Sequence, residues 1–156
     1  MHALKNNTMQ KVIEDLRNTI EENYSILKKI NELDFSKKSS DKWSKKEELG
    51  HLIDSALNNI QRFIRVQYEE NAYIIYNQDK WANASNYQQR NSIALIELWY
   101  LLNQHIIAIL ENMDAQFYEK QMSTSLDVSN KNSILFIAND YIEHLNHHLK
   151  KIISTT

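Results

Sequence analysis

A bundle of four α-helices is the fold this sequence predicts, and three observations predict it. The 156 residues contain no proline and one glycine, Gly50. Turns that need a positive φ or a fixed proline φ are therefore scarce, and a hairpin-rich sheet is disfavoured. Four segments carry apolar residues at spacings of three and four, the period of a helix with one buried face. Two of these segments are preceded by a serine with a Glu or Gln three residues on, the pattern of a capping box. At 42% hydrophobic and 24% charged residues the chain is globular in composition, and its length suits a single domain over 1–156.

The first helix is expected over roughly Asn7–Leu33, with Met9, Val12, Ile13, Leu16, Ile20, Tyr24, Leu27 and Ile30 on one face. His2 would precede it in a disordered tail. After a polar connector, Ser44 and Glu47 form the first capping box, so the second helix starts at Lys45 and extends to about Glu70. Its apolar stripe is Leu49, Leu52, Ile53, Ala56, Ile60, Phe63 and Ile64. Opposite that stripe stand Glu47, His51, Asp54, Asn58 and Arg62, a ladder at helical period whose simplest reading is a solvated face. Asn71–Ala84 is a connector mixing aromatic and polar residues. Ser85 and Gln88 repeat the capping pattern and should open the third helix, carrying Leu95, Leu98, Trp99, Leu102, Ile106 and Leu110 to about Met113. A serine-rich connector, Asp114–Asn130, leads to the fourth helix over roughly Asn132–Ile153. The Asn71–Ala84 connector is long enough to run back along the second helix. Length alone thus permits either an up-down-up-down bundle or one with a crossover.

Several function classes are excluded by composition. A formal net charge of −2 offers no basic surface for nucleic acid. No apolar run approaches the roughly 20 residues that span a bilayer, and the N-terminus lacks a signal-peptide apolar region, so a cytoplasmic protein is expected. With no cysteine there can be no disulfide, thiolate ligand or cysteine nucleophile.

Histidine carries the chemistry that remains. In the fourth helix His144 and His148 lie one turn apart at the edge of the apolar stripe, while His147 points toward solvent. Two imidazoles at i and i+4 can chelate one divalent ion, and Asp140, one turn before His144, could orient its other ring nitrogen. Surface histidines at this spacing also arise by chance.

Taken together, Trp43-Ser44-x-x-Glu47-x-x-Gly50-His51-Leu52-x-Asp54 and Asp140-Tyr141-x-x-His144-x-x-His147-His148-Leu149 resemble the DinB-like superfamily of metal-dependent bacterial proteins, close to its YfiT branch. Arg62-Phe63, Trp81, Tyr87 and Leu98-Trp99…Leu102-Asn103 extend the resemblance across roughly residues 10–153. It implies an all-α four-helix bundle of up-down-down-up topology, with Asn71–Ala84 as the crossover. The family's three metal-binding histidines map onto His51, His144 and His148; His147 and His105 have no counterpart. Relatives of this kind include bacillithiol- and mycothiol-dependent S-transferases and a mycothiol-dependent maleylpyruvate isomerase.

Three neutral imidazoles would leave a divalent ion its full charge and an open position, the arrangement of a catalytic site. Zinc is the first expectation, with nickel, manganese or iron as alternatives. Such an ion could lower the pKa of a thiol, which in a cysteine-free chain must arrive as a low-molecular-weight cosubstrate, or that of a water. Glu47, Asp54 and Asp140 are candidates for proton handling or for orienting ligands, and Arg62 for meeting a substrate carboxylate; surface salt bridges would use the same residues. The leading expectation is a thiol S-transferase acting on small electrophiles. A metal-dependent hydrolase and a non-catalytic metal-binding stress-response module are the alternatives, and the family suggests a homodimer.

Overall fold

Three of the long helices begin where a side chain, Ser44, Asn91 or Ser133, accepts one of the first free amide hydrogens. The computed structural model describes residues 2–154, with side chains from Thr8 onward. Helix α1 spans His2–Leu27, α2 Glu32–Ser36, α3 Lys45–Arg65, α4 Gln78–Ser85, α5 Ser92–Asn112 and α6 Ile134–Ile153. A two-stranded antiparallel sheet, β1 Gln121–Ser123 and β2 Lys131–Ser133, sits in the connector before α6 with Met122 opposite Asn132. The expected tail at His2 is thus backbone of α1, and the His2 side chain lies outside the described residues.

Ion pairs and hydrogen bonds between helices fix the topology. Arg17 pairs with Glu111 at 2.5 Å and Tyr24 donates to Glu97 at 2.7 Å, so α1 and α5 run antiparallel. Ser44, which caps α3, donates to Gln88, just before α5, at 2.6 Å; α3 and α5 therefore start at the same end and run parallel. The pairs His51–His144 and Glu48–His148 make α3 and α6 antiparallel. The bundle is up-down-down-up, and the segment between α3 and α5 is the crossover. Met9, Leu16 and Ile20 of α1, Leu49, Leu52 and Phe63 of α3, Leu95 and Trp99 of α5, and Leu145 and Leu149 of α6 meet in one core, each at most 2% exposed.

The Ser44 capping box forms as expected: Glu47 N–H donates to Ser44 Oγ at 3.1 Å and Ser44 N–H to Glu47 Oε2 at 2.8 Å. Several boundaries differ from the sequence reading, among them the end of the second helix, at Arg65 rather than about Glu70. The first helix stops at Leu27 rather than Leu33, because Asn31 accepts from Asp34 N–H and opens α2, which turns Phe35 into the core. The third helix starts at Ser92 rather than Ser85, capped by Asn91. Ser85 instead ends α4 at Asn86, whose left-handed φ of 48° breaks the helix. Gln88 is occupied elsewhere, accepting from Ser44 and donating to Ser36 O. The polar connector before α6 also contains strands that its composition did not announce.

Helix α5 corrects a further expectation. By length and composition it is apolar enough to cross a membrane. Here it packs against both α1 and α3, as α6 also does, burying Leu95, Ile96, Trp99, Ile106, Ile107 and Leu110.

Candidate metal centre

The antiparallel seam of α3 and α6 holds the histidines. His51 sits in the second turn of α3, fully buried, because the capping box fixes the start of the helix and Leu49, Leu52 and Ile53 orient it. On α6, Tyr141, Leu145 and Leu149 face the core, which carries His144 and His148 to the edge facing His51. The three rings form a triangle with centroid separations of 5.0, 4.5 and 4.5 Å. His51 Nε2 lies 3.0 Å from His144 Nε2, and one nitrogen from each ring falls within 4.8 Å of the others. Trp43, just ahead of the cap, lays its ring 5.2 Å from that of His51. His147 and His105 are exposed.

The polar ladder on α3 is not a solvated face. His51, Asp54 and Asn58 are each at most 2% exposed, because α6 and the crossover cover them. Burial pushes the His51 imidazole down to about 4, helped by the neighbouring His148. His144 is likewise driven to about 4 by burial and by the surrounding imidazoles. Both rings are neutral at physiological pH, the form that binds a metal ion.

Glu48, which sequence reasoning passed over in favour of Glu47, is the residue that supports a histidine. Its Oε2 lies 2.6 Å from His148 Nδ1, and Lys151 stands 3.8 Å from Oε1. Burial raises the Glu48 carboxyl, but the bond from His148 and the charges of Lys151 and His51 outweigh it and leave it below its usual range. Glu48 therefore accepts the His148 Nδ1–H and leaves Nε2 free to face the other two rings. Glu47 is consumed by the cap and by Lys38 at 2.6 Å. Asp140 is exposed and makes no hydrogen bond to His144, whose Nδ1 is buried without a partner among the described residues.

Asp54, one turn beyond His51, accepts a bond from the Tyr87 hydroxyl at 2.5 Å through Oδ1, while its buried Oδ2 has no partner among the described residues. Burial pushes its carboxyl up to about 6, with the Tyr87 bond opposing. Tyr87 reaches it because its ring lies on Gly50, where a Cβ would come within 2.1 Å. Arg62 lies farther along the seam, donating to Asn59 Oδ1 at 3.3 Å and Ile74 O at 3.0 Å.

These residues fit a divalent ion. Two nitrogens on one tetrahedral zinc stand about 3.3 Å apart, inside the 3.0–4.8 Å range found here. Nδ1 of His51 and of His144 have no partner among the described residues, so each can carry its ring proton there and turn an unprotonated Nε2 to a cation.

No protein-family model matches the sequence, and no curated protein matches it significantly. Two solved structures are similar in fold. YfiT from Bacillus subtilis, described as a probable metal-dependent hydrolase with an unusual four-helix bundle topology, aligns with a TM-score of 0.82 at 18% identity, over 92% of this chain and 83% of that one. A mutant of the mycothiol-dependent maleylpyruvate isomerase aligns with a TM-score of 0.79 at 8% identity, over 95% of this chain. This chain spans 62% of the isomerase's length. At such identities the likeness is one of architecture: the chain has the DinB-like four-helix fold.

Proposed function

We propose that the chain is a metal-dependent thiol S-transferase in which His51, His144 and His148 hold a divalent ion, zinc in the first instance and nickel, manganese or iron otherwise. The observation that carries the reading is the convergence of three imidazoles in a chain without cysteine. When bound, the ion supplies a positive charge that favours a thiolate over a thiol at neutral pH. Neutral ligands leave that charge undiminished. Glu48 fixes the ring of His148, and the Trp43 ring packs beside that of His51. Asp54, mostly ionised at pH 7 with Oδ2 free, holds the proton a thiol gives up. The other nearby carboxylate, Glu48, is already engaged by His148 and Lys151, which supports a reaction needing no second general base.

The test is thiol consumption by metal-loaded protein with monochlorobimane as the electrophile, screening bacillithiol, glutathione, cysteine and coenzyme A. Acceleration by one thiol, lost in His51→Ala, is expected. If calorimetry finds that the metal-loaded protein binds none of the four, the transferase reading fails.

A hydrolase is the second reading, favoured by the unpartnered Asp54 Oδ2, which could take a proton from water. Hydrolysis of a p-nitrophenyl ester without added thiol, abolished in Asp54→Asn, would select it. We extend the leading reading to a cytoplasmic homodimer, to be checked by fractionation and analytical ultracentrifugation.

A further inference from the structure

Beyond His144 the α3–α6 seam opens into a cavity of about 180 Å³, lined in part by Asn59, Arg62, Tyr76, Asp140, Tyr141 and His144. At about 30 Å³ per water that is room for roughly six waters, or for one small organic acid. Arg62 is its cation. A guanidinium has five N–H donors, and only two are spent here, on Asn59 and Ile74. Among the described residues the buried Nε–H has no partner, and the guanidinium's charge is met only through space by Asp140 in the same lining, without a hydrogen bond between them. Burial disfavours its charge, and one through-space acid offsets that only in part, so an anion arriving from outside would be favoured there. Asp54 is not part of the lining, and its carboxylate is turned to Tyr87. The larger cavity on the other side of the histidines, about 680 Å³, also carries lysines, but Lys45 there is already paired with Asp34 at 2.9 Å.

We propose that this cavity is a subsite for a small carboxylate, gripped by Arg62 so that the rest of the molecule lies toward His144. The proposal rests on the reading of the histidines as a reaction centre, and it names the class of electrophile: a short-chain acid. Planar guanidinium–carboxylate pairing explains why arginine suits the position, since it supplies two parallel donors where lysine supplies a point charge. Tyr76 offers a further polar contact; the Tyr141 hydroxyl is already donated to Asn103 at 2.6 Å and the Asn59 amide to Ser55 O at 2.9 Å, and Asp140 is the single acid in the lining.

The experiment uses succinate and its uncharged analogue succinamide, titrated by calorimetry into the full chain. The protein is used metal-loaded, and again after the metal has been stripped and chelator removed. Succinate should bind in both states, succinamide at least tenfold more weakly, and Arg62→Met should lose at least tenfold. Because Arg62 also holds the Ile74 carbonyl, exposed Asp140 provides a second variant: Asp140→Asn removes the competing charge and should tighten succinate binding several-fold. Equal binding of succinate and succinamide, or unchanged binding in a folded Arg62→Met, overturns the proposal. So does binding seen only with metal present, which would make the carboxylate a ligand of the ion. Neither thiol nor turnover enters the measurement, so failure of the transferase reading leaves this result standing.

Discussion

Glu48 Oε2 on α3 lies 2.6 Å from Nδ1 of His148 on α6, so one helix supplies the partner that aligns a histidine of the other. The contact ties the orientation of His148 to the register of the α3–α6 seam. Removing such a partner typically weakens a metal site by about 10–100-fold. Glu48→Ala should therefore lower metal affinity by that range while circular dichroism stays helical. Competition with a chromogenic chelator measures it; an unchanged affinity would mean that His148 is oriented by packing alone.

The ligand set is tested by single alanine substitutions. His51→Ala, His144→Ala and His148→Ala each leave two imidazoles and should lose most of the metal by elemental analysis. His147→Ala, exposed one position away from His148, should stay loaded. A variant series in which His147→Ala empties the protein and His144→Ala does not would sink the assignment.

Gly50 is the chain's single glycine, and it sits inside a helix, where glycine costs roughly 1 kcal/mol relative to alanine. The compensation is the Tyr87 ring, whose atoms would lie 2.1–2.7 Å from a Cβ at residue 50. Gly50→Ala must displace that ring or bend α3, a cost of about 1–3 kcal/mol, or a drop of roughly 3–10 °C in Tm. In a Tyr87→Ala background the same substitution should cost far less. Thermal melts of the four proteins in that cycle read the coupling directly.

Local features offered only an i, i+4 histidine pair on α6 and one histidine in a polar ladder on α3; it was the family resemblance that joined them, and the structure brings the three rings together. What covered them was not legible. Nothing along α3 separates a polar ladder facing solvent from one facing another polar helix edge, and Asp54 and Asn58 turned out buried. Glu47 invited a catalytic role, yet the capping box recognised at the same residue already accounted for its carboxylate. Glu48, its neighbour, points across the seam instead, and only the register of α6 could show that. The Ser85–Gln88 pattern failed for a related reason: capping side chains can be recruited by distant partners, here Ser44 and Ser36. Gly50 was the missed signal, since an isolated glycine in an otherwise regular helix marks a close approach.

Stability of the metal-free protein should depend on pH in a definite sense. His51 and His144 have folded values near 4, below the usual 6.5, so the unfolded chain binds more protons between those limits. Stability then rises with pH across that window. Asp54 opposes it: its folded value near 6 stands above the ordinary 3.8, so the folded chain binds the extra proton between pH 4 and 6. Two protons against one leaves a net slope of about 1.4 kcal/mol per pH unit. Asp54→Asn should steepen the slope between pH 4 and 6 and stabilise the protein at pH 7, by on the order of 2–3 kcal/mol. Urea unfolding at successive pH values checks both signs, and a flat profile in the parent protein would contradict the buried, neutral state of the two histidines.

Metal removal separates a reaction centre from a structural staple. The core contributed by α1, α3, α5 and α6 is continuous and apolar without the histidines, which lie at the edge of the seam. Burial of that core, at ~25 cal/mol per Å² of apolar surface, does not depend on an ion. Metal-stripped protein should therefore keep its helical dichroism at room temperature. Reloading should add stability by linkage alone, roughly 3–4 kcal/mol when free metal stands at 100 to 1,000 times its dissociation constant. The gain should be absent in His144→Ala, which retains the core but not the third imidazole. Unfolding of the stripped protein at room temperature would show that the ion pins α3 to α6. The non-catalytic metal-binding module would then be the better reading.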